Sequence, residues 1–172
     1  EIYTLSLHDA LPILADGRVR VFVGMGGNFA VATPDSAHTQ AALRRCNLTV
    51  QVSTKLNRSH LVHGRQALIL PCLGRTEVDL QAGGPQAVTV EDSMSMVHLS
   101  SGMNAPASEQ LRSEPAIVAG LAAAVLPHSR TRWAWLVEDY DRIRDAIARV
   151  VEGFEDFNAK VRVPGGFHLR NA

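Results

Sequence analysis

The chain has 172 residues, 46% hydrophobic and 20% charged, and its 17 basic residues balance its 17 acidic ones. That length supports one domain, or one with an appendage, around a sizeable core. The even charge leaves no electrostatic footprint for nucleic acid or a membrane surface. The longest apolar runs, such as Ala116 to Leu126, are too short and too rich in alanine to span a bilayer. Two cysteines, Cys46 and Cys72, make no disulfide framework and suit a reducing compartment. A soluble, cytoplasmic protein with no membrane span is the expectation.

Residues 1–13, EIYTLSLHDALPI, resemble the translation of a sequencing-library adapter. They lack the basic start and the cleavage site of a signal peptide. They are set apart from the fold, with the expectation that the natural amino terminus is missing and the chain is a fragment.

From Arg18 the pattern Arg-Val-Arg-Val-Phe-Val alternates and then turns fully apolar, as a strand entering a sheet does. Gly24 to Gly27 end it, since glycine permits backbone angles and close approach that side chains forbid. Thr33-Pro34-Asp35 predicts a helix start with a hydroxyl cap, running to about Cys46 with Ala37, Ala41 and Leu43 inward. Leu48 to Val52 is the second strand, and Asn57 to Gly64 a short helix or turn. Ala67 to Leu70, stopped by Pro71, reads as a third parallel strand covered on both faces.

Residues 74–106 lack clear periodicity, with a turn signal at Gly83-Gly84-Pro85 and one short strand at Ala87 to Val90. Ser113-Glu114-Pro115 caps a helix through about Val125. Trp133 to Glu152 reads as one amphipathic helix ended by Gly153, and Val163 to Phe167 as a linker leading out of the domain. The fold class is α/β: a Rossmann-like parallel sheet with flanking helices. The expected division sets 1–13 apart, then a cofactor-binding domain over 14–130, then a helix and linker over 131–172.

Two loops carry the chemistry. Gly26, Gly27 and Asn28 close the first strand, and Ser53, Thr54, Lys55, Asn57, Arg58 and Ser59 crowd hydroxyls, amides and cations after the second. Such groups at the carboxyl ends of parallel strands suit phosphate, ribose and base contacts. The glycine loop lacks the third glycine of the dinucleotide fingerprint, which argues against a nicotinamide site. Either loop alone is also compatible with a solvated turn. His60 and His63 have an i, i+3 spacing but no third ligand, so capping or packing is their simpler role. No catalytic residue and no metal ligand is assigned.

The segments VFVGMGGNFA, LTVQVSTKLNRSHLV, ALILPCLGRTEVD, TVEDSMSMVH and LRSEPAIVAGLA resemble, in this order, the formate dehydrogenase alpha-subunit-like branch of the molybdopterin oxidoreductases. The resemblance implies an α/β domain holding one guanosine arm of a bis(molybdopterin guanine dinucleotide) cofactor with molybdenum. It places Gly26, Gly27 and Asn28 against the cofactor, puts Asn57, Arg58 and Ser59 where relatives commonly carry a Thr-x-Thr-like turn after the second strand, and matches Glu77 to an acidic position. Phe29 stands where the family commonly has proline, and the stretch after Glu91 lacks the arginines of many relatives. A 4Fe-4S cluster, the molybdenum ligand and a final barrel domain are implied outside these residues, so the partners are the missing domains of the same chain and a small-molecule substrate. A free-standing nucleotide-binding module, or a small hydrolase or transferase using Cys72 or His60, are the alternatives.

Overall fold

The computed structural model describes residues 12–169; residues 1–11, most of the adapter-like stretch, lie outside the described residues. The chain divides into two compact units with the boundary between Cys72 and Leu73.

The first unit holds a parallel sheet of β1 (Val21–Met25), β2 (Leu48–Ser53) and β3 (Gln66–Pro71) in that spatial order. Val21 stands opposite Leu48, and Leu48 opposite Gln66. Two short helices, α1 (Phe29–Ala32) and α2 (Ser36–Leu43), connect β1 to β2, and a 3-10 turn over Arg58–Leu61 lies between β2 and β3. This is an α/β arrangement compatible with a Rossmann-like fold. Its core gathers Leu14, Ala30, Ala42, Leu43, Cys46 and Val62, with Phe22 and Phe29 against it at a ring separation of 5.0 Å. Burial raises the pKa of the Cys46 thiol, as expected of a small packing residue.

The helix start differs from the sequence expectation. Asp35, not Thr33, caps α2 by accepting the His38 backbone N–H at 2.9 Å. Thr33 closes α1 instead, and its hydroxyl meets that of Thr39 at 2.7 Å in the interior. The inward residues are Thr39, Ala42 and Leu43, whereas Ala37 and Ala41 are exposed. Every residue of β3 is exposed, so the expectation of cover on both faces does not hold among the described residues.

In the second unit, β4 (Asp79–Gln81) and β5 (Gly84–Gln86) form a hairpin, and β6 (Val88–Glu91), β7 (Met96–Ser100) and β8 (Phe167–His168) an antiparallel sheet. The helices are α3 (Glu114–Val125), α4 (Trp133–Glu138), α5 (Tyr140–Ala148) and α6 (Phe157–Lys160). The single helix expected from Trp133 breaks at Asp139. That residue is extended, and its carboxylate accepts the Asp141 N–H at 3.0 Å. An aspartate in that position satisfies a new helix start better than it continues an old one. Arg142 spans the break, bonded to Glu138 and stacked on Trp135, whose other partner is Arg132.

The tail is no linker. Phe167 pairs with Val97 in the sheet and joins Phe154 and Phe157 in an edge-to-face aromatic cluster. With Val97 and Val161 these rings make the second unit's core. No helix among the described residues is long and apolar enough to cross a membrane.

Candidate functional site

β1 and β2 run parallel and adjacent, so the loops that follow them emerge side by side at the carboxyl end of the sheet. Gly26 extends the ladder by donating its N–H to the Val52 carbonyl at 2.8 Å. Gly26 and Gly27 then take left-handed backbone angles, φ 66 and 63. A Cβ on Gly27 would meet nothing within 4 Å. Its glycine therefore serves the backbone turn and leaves the peptide open to approach, rather than relieving a crowded interior.

Three of the expected ligand residues tie the loops together. Asn57 donates its side-chain amide to the Gly27 carbonyl at 2.6 Å. The Asn28 side-chain oxygen accepts both the Ser59 N–H and the Ser59 hydroxyl, each at 3.1 Å. The Ser59 oxygen in turn accepts the Ala30 N–H at 3.0 Å. Ser59 is buried and Asn28 and Asn57 are half-buried, so these side chains fix the shape of the loops. Thr54, Lys55 and Arg58 are exposed on the same loop, and Ser53 is half-buried at its start. Two cations and a hydroxyl are thus presented beside a glycine turn at one sheet end, a set suited to an anionic, sugar-bearing ligand.

His60 completes the turn. Its Nδ1 accepts the Asn57 N–H at 2.9 Å, while Asn57 accepts the Ser59 N–H, a reciprocal cap. A neutral ring that accepts at Nδ1 carries its proton on Nε2. His63 is exposed and hydrogen-bonded to the Gly64 carbonyl. The two histidines therefore cap and border a turn; among the described residues no three His, Cys, Asp or Glu side chains gather as a metal site.

Gln51 was not singled out by the sequence. It is buried in β2 directly opposite Gly24, and a Cβ on Gly24 would sit 2.6 Å from its side-chain oxygen. Its amide nitrogen and the Nε2 of His60 are buried without a hydrogen-bond partner. The available signal was a polar residue between Val50 and Val52 in an otherwise apolar strand.

Glu77 belongs to the second unit. Its two carboxylate oxygens accept the N–H groups of Gly74 at 2.5 Å and Ala107 at 2.6 Å. These bonds hold its pKa below the usual glutamate range, the Gly74 bond most strongly. They make Glu77 a brace between two loop segments. A concavity of about 450 Å³ in this unit is bordered by Asp79, Gln81 and Ser113. Gln81 donates to both Asp79 and Ser113, and each of these two is bonded to the Tyr140 hydroxyl.

The sequence is 63% identical over 161 residues to an uncharacterized oxidoreductase of Mycobacterium tuberculosis, covering 93% of this chain and 21% of that protein. An uncharacterized oxidoreductase of Mycobacterium bovis matches to the same extent. Protein YdeP of Escherichia coli is 53% identical over 163 residues, 95% of this chain and 22% of that protein. The chain spans about a fifth of the length of these curated relatives. No protein-family model matches it.

Proposed function

We propose that the chain is the part of a molybdopterin-dependent, formate dehydrogenase-like oxidoreductase that grips one guanosine arm of a bis(molybdopterin guanine dinucleotide) cofactor. The supporting observation is the tied pair of loops at the carboxyl ends of β1 and β2. There Asn57 holds Gly27, and Asn28 holds Ser59, while the Lys55 and Arg58 side chains stay exposed. The donor set fits a guanosine phosphate: the peptide N–H of Gly27, a hydroxyl at Thr54 and cations at Lys55 and Arg58. The oxidoreductase name of the mycobacterial relatives and the order of the family-like segments point the same way.

When bound, the cofactor supplies electron transfer at molybdenum. The residues of this chain bind and orient it. Asn28, Asn57 and Ser59 keep the loops in register, and Lys55 and Arg58 neutralise phosphate. Activity belongs to the whole enzyme, with an iron-sulfur cluster and a small substrate handled by other parts of it.

The test uses the full-length protein of the source gene, assayed for molybdenum, pterin and releasable guanine nucleotide. Wild-type protein is expected to hold all three, and Lys55→Ala and Arg58→Ala each to lower guanine nucleotide per polypeptide several-fold. Full-length protein without pterin refutes the cofactor, and unchanged content in both variants refutes the site.

A further inference from the structure

The concavity of about 450 Å³ in the second unit is bordered on one side by residues 106–113 and on the other by residues 73–81. Backbone bonds fasten these two segments at both ends. The Val78 N–H donates to the Asn104 carbonyl at 2.9 Å, and the Leu73 N–H to the Arg112 carbonyl at 3.0 Å. Leu73, Val78, Pro106 and Leu111 give the cavity apolar walls, and Asp79, Gln81 and Ser113 form its polar end.

The hydrogens at that end are all spent within it. Tyr140, only 2% exposed, gives its hydroxyl proton to Asp79. Ser113, 6% exposed, is then the donor in the 2.7 Å bond between the two hydroxyls. The Gln81 amide divides its two hydrogens between Asp79 at 2.6 Å and Ser113 at 3.4 Å. What remains is the Asp79 carboxylate, the Gln81 carbonyl oxygen and the Ser113 oxygen: three acceptor groups and no donor. Arg112 is the one cation on the lining. Its guanidinium is turned back onto its own segment, bonded to the Glu109 and Leu111 carbonyls at 3.1 and 3.2 Å. Glu109 adds a second carboxylate to the lining. An anionic ligand would be desolvated here without a partner, whereas a group that only donates is matched.

We propose that this cavity binds a primary alkylammonium, with the –NH3+ group against Asp79 and the carbon chain along Val78 and Leu111. Such a head brings three N–H donors to three acceptors, as a compact point charge. The apolar walls take the chain, in the manner of small-molecule sites that pair an apolar lining with a few placed polar groups. The site is separate from the cofactor reading, whose two loops lie in the first unit and take no part in it.

Methyl-labelled full-length protein of the source gene, titrated with n-butylammonium chloride, n-butanol and sodium butyrate at matched ionic strength, tests this. Butylammonium is expected to shift the Val78 and Leu111 methyl resonances saturably, and the alcohol and the carboxylate to leave them in place. Asp79→Asn is expected to weaken butylammonium at least tenfold, read at Val78. Leu111→Trp, which fills the cavity and keeps the carboxylate, is expected to abolish binding and decides the matter if Asp79→Asn fails to fold. Absence of a saturable shift in wild type overturns the proposal. So does equal binding of butanol, or undiminished affinity in either folded variant.

Discussion

The side-chain amide of Asn57 donates to the backbone carbonyl of Gly27 at 2.6 Å, across thirty residues of chain. That bond joins the ends of two adjacent parallel strands through a residue that also caps its own turn. The asparagine holds the glycine loop in one shape, with Lys55 and Arg58 exposed beside it. A preformed loop of this kind loses less entropy on binding than a mobile one.

Ser59→Ala tests that tie without reference to any ligand. The hydroxyl accepts from Ala30 and donates to Asn28, and the residue is only 1% exposed. Its loss leaves the Ala30 N–H without its partner, at about 1–3 kcal/mol. Urea unfolding of the 172-residue chain is expected to show a lower midpoint with an unchanged slope. A midpoint equal to that of wild type refutes the tie.

Tyr140 anchors the hairpin of the second unit. Its hydroxyl donates to Asp79 and meets the Ser113 hydroxyl at 2.7 Å, and its N–H donates to Gln86 at 2.7 Å. Burial, followed by the hydrogen bond to Asp79, pushes the phenol above the ordinary tyrosine range. A phenol raised in the folded state contributes stability that is full at neutral pH and lost as pH climbs above about 10. Tyr140→Phe is expected to lose about 1–3 kcal/mol at neutral pH and to flatten the alkaline limb of the stability profile. An unaltered alkaline limb in urea titrations refutes the assignment.

Glu77 predicts the opposite limb. Its carboxylate accepts from Gly74 and Ala107, which holds its pKa low. Stability from a depressed carboxylate is present above its ordinary pKa, about 4.3, and is lost as pH falls through the depressed value. Glu77→Gln is expected to be less stable at neutral pH and less sensitive to acid than wild type. Parallel acid limbs in the two proteins refute the brace.

Local chemistry made some of this legible in advance. The apolar run of β2 and the proline in the first turn of α3 put both elements where the sequence expects them, although Ser113 gives its hydroxyl to Tyr140 and does not cap α3. Asp139 was opaque because the helical spacing of Leu136, Tyr140 and Ile143 continues straight through it; only its competing cap breaks the helix. The hairpin of β4 and β5 was signalled by its glycines but not by its three-residue strands, too short to show alternation. At the candidate site, the residue types of the two loops were readable. Their division of labour was not, because the tie of Asn28 to Ser59 is a contact between distant segments.

The tail shows the same limit and gives a sharp test. Val163-Pro164-Gly165-Gly166-Phe167 reads as a linker leading out of the domain, yet Gly166 is where the chain turns back to pair β8 with β7. Gly166 has φ 74, and a Cβ there would lie 1.9 Å from the Val97 carbonyl oxygen. Gly166→Ala adds the left-handed penalty of about 1–2 kcal/mol to a clash with backbone that has no side-chain freedom to yield. The pairing of Phe167 with Val97 is therefore expected to give way, and with it the edge-to-face contacts to Phe154 and Phe157. Faster amide exchange at Val97 and Phe167, with exchange at Val52 and Gly26 unchanged, is the expected pattern. Full protection of Val97 in the variant would show that the tail is held by something other than this turn.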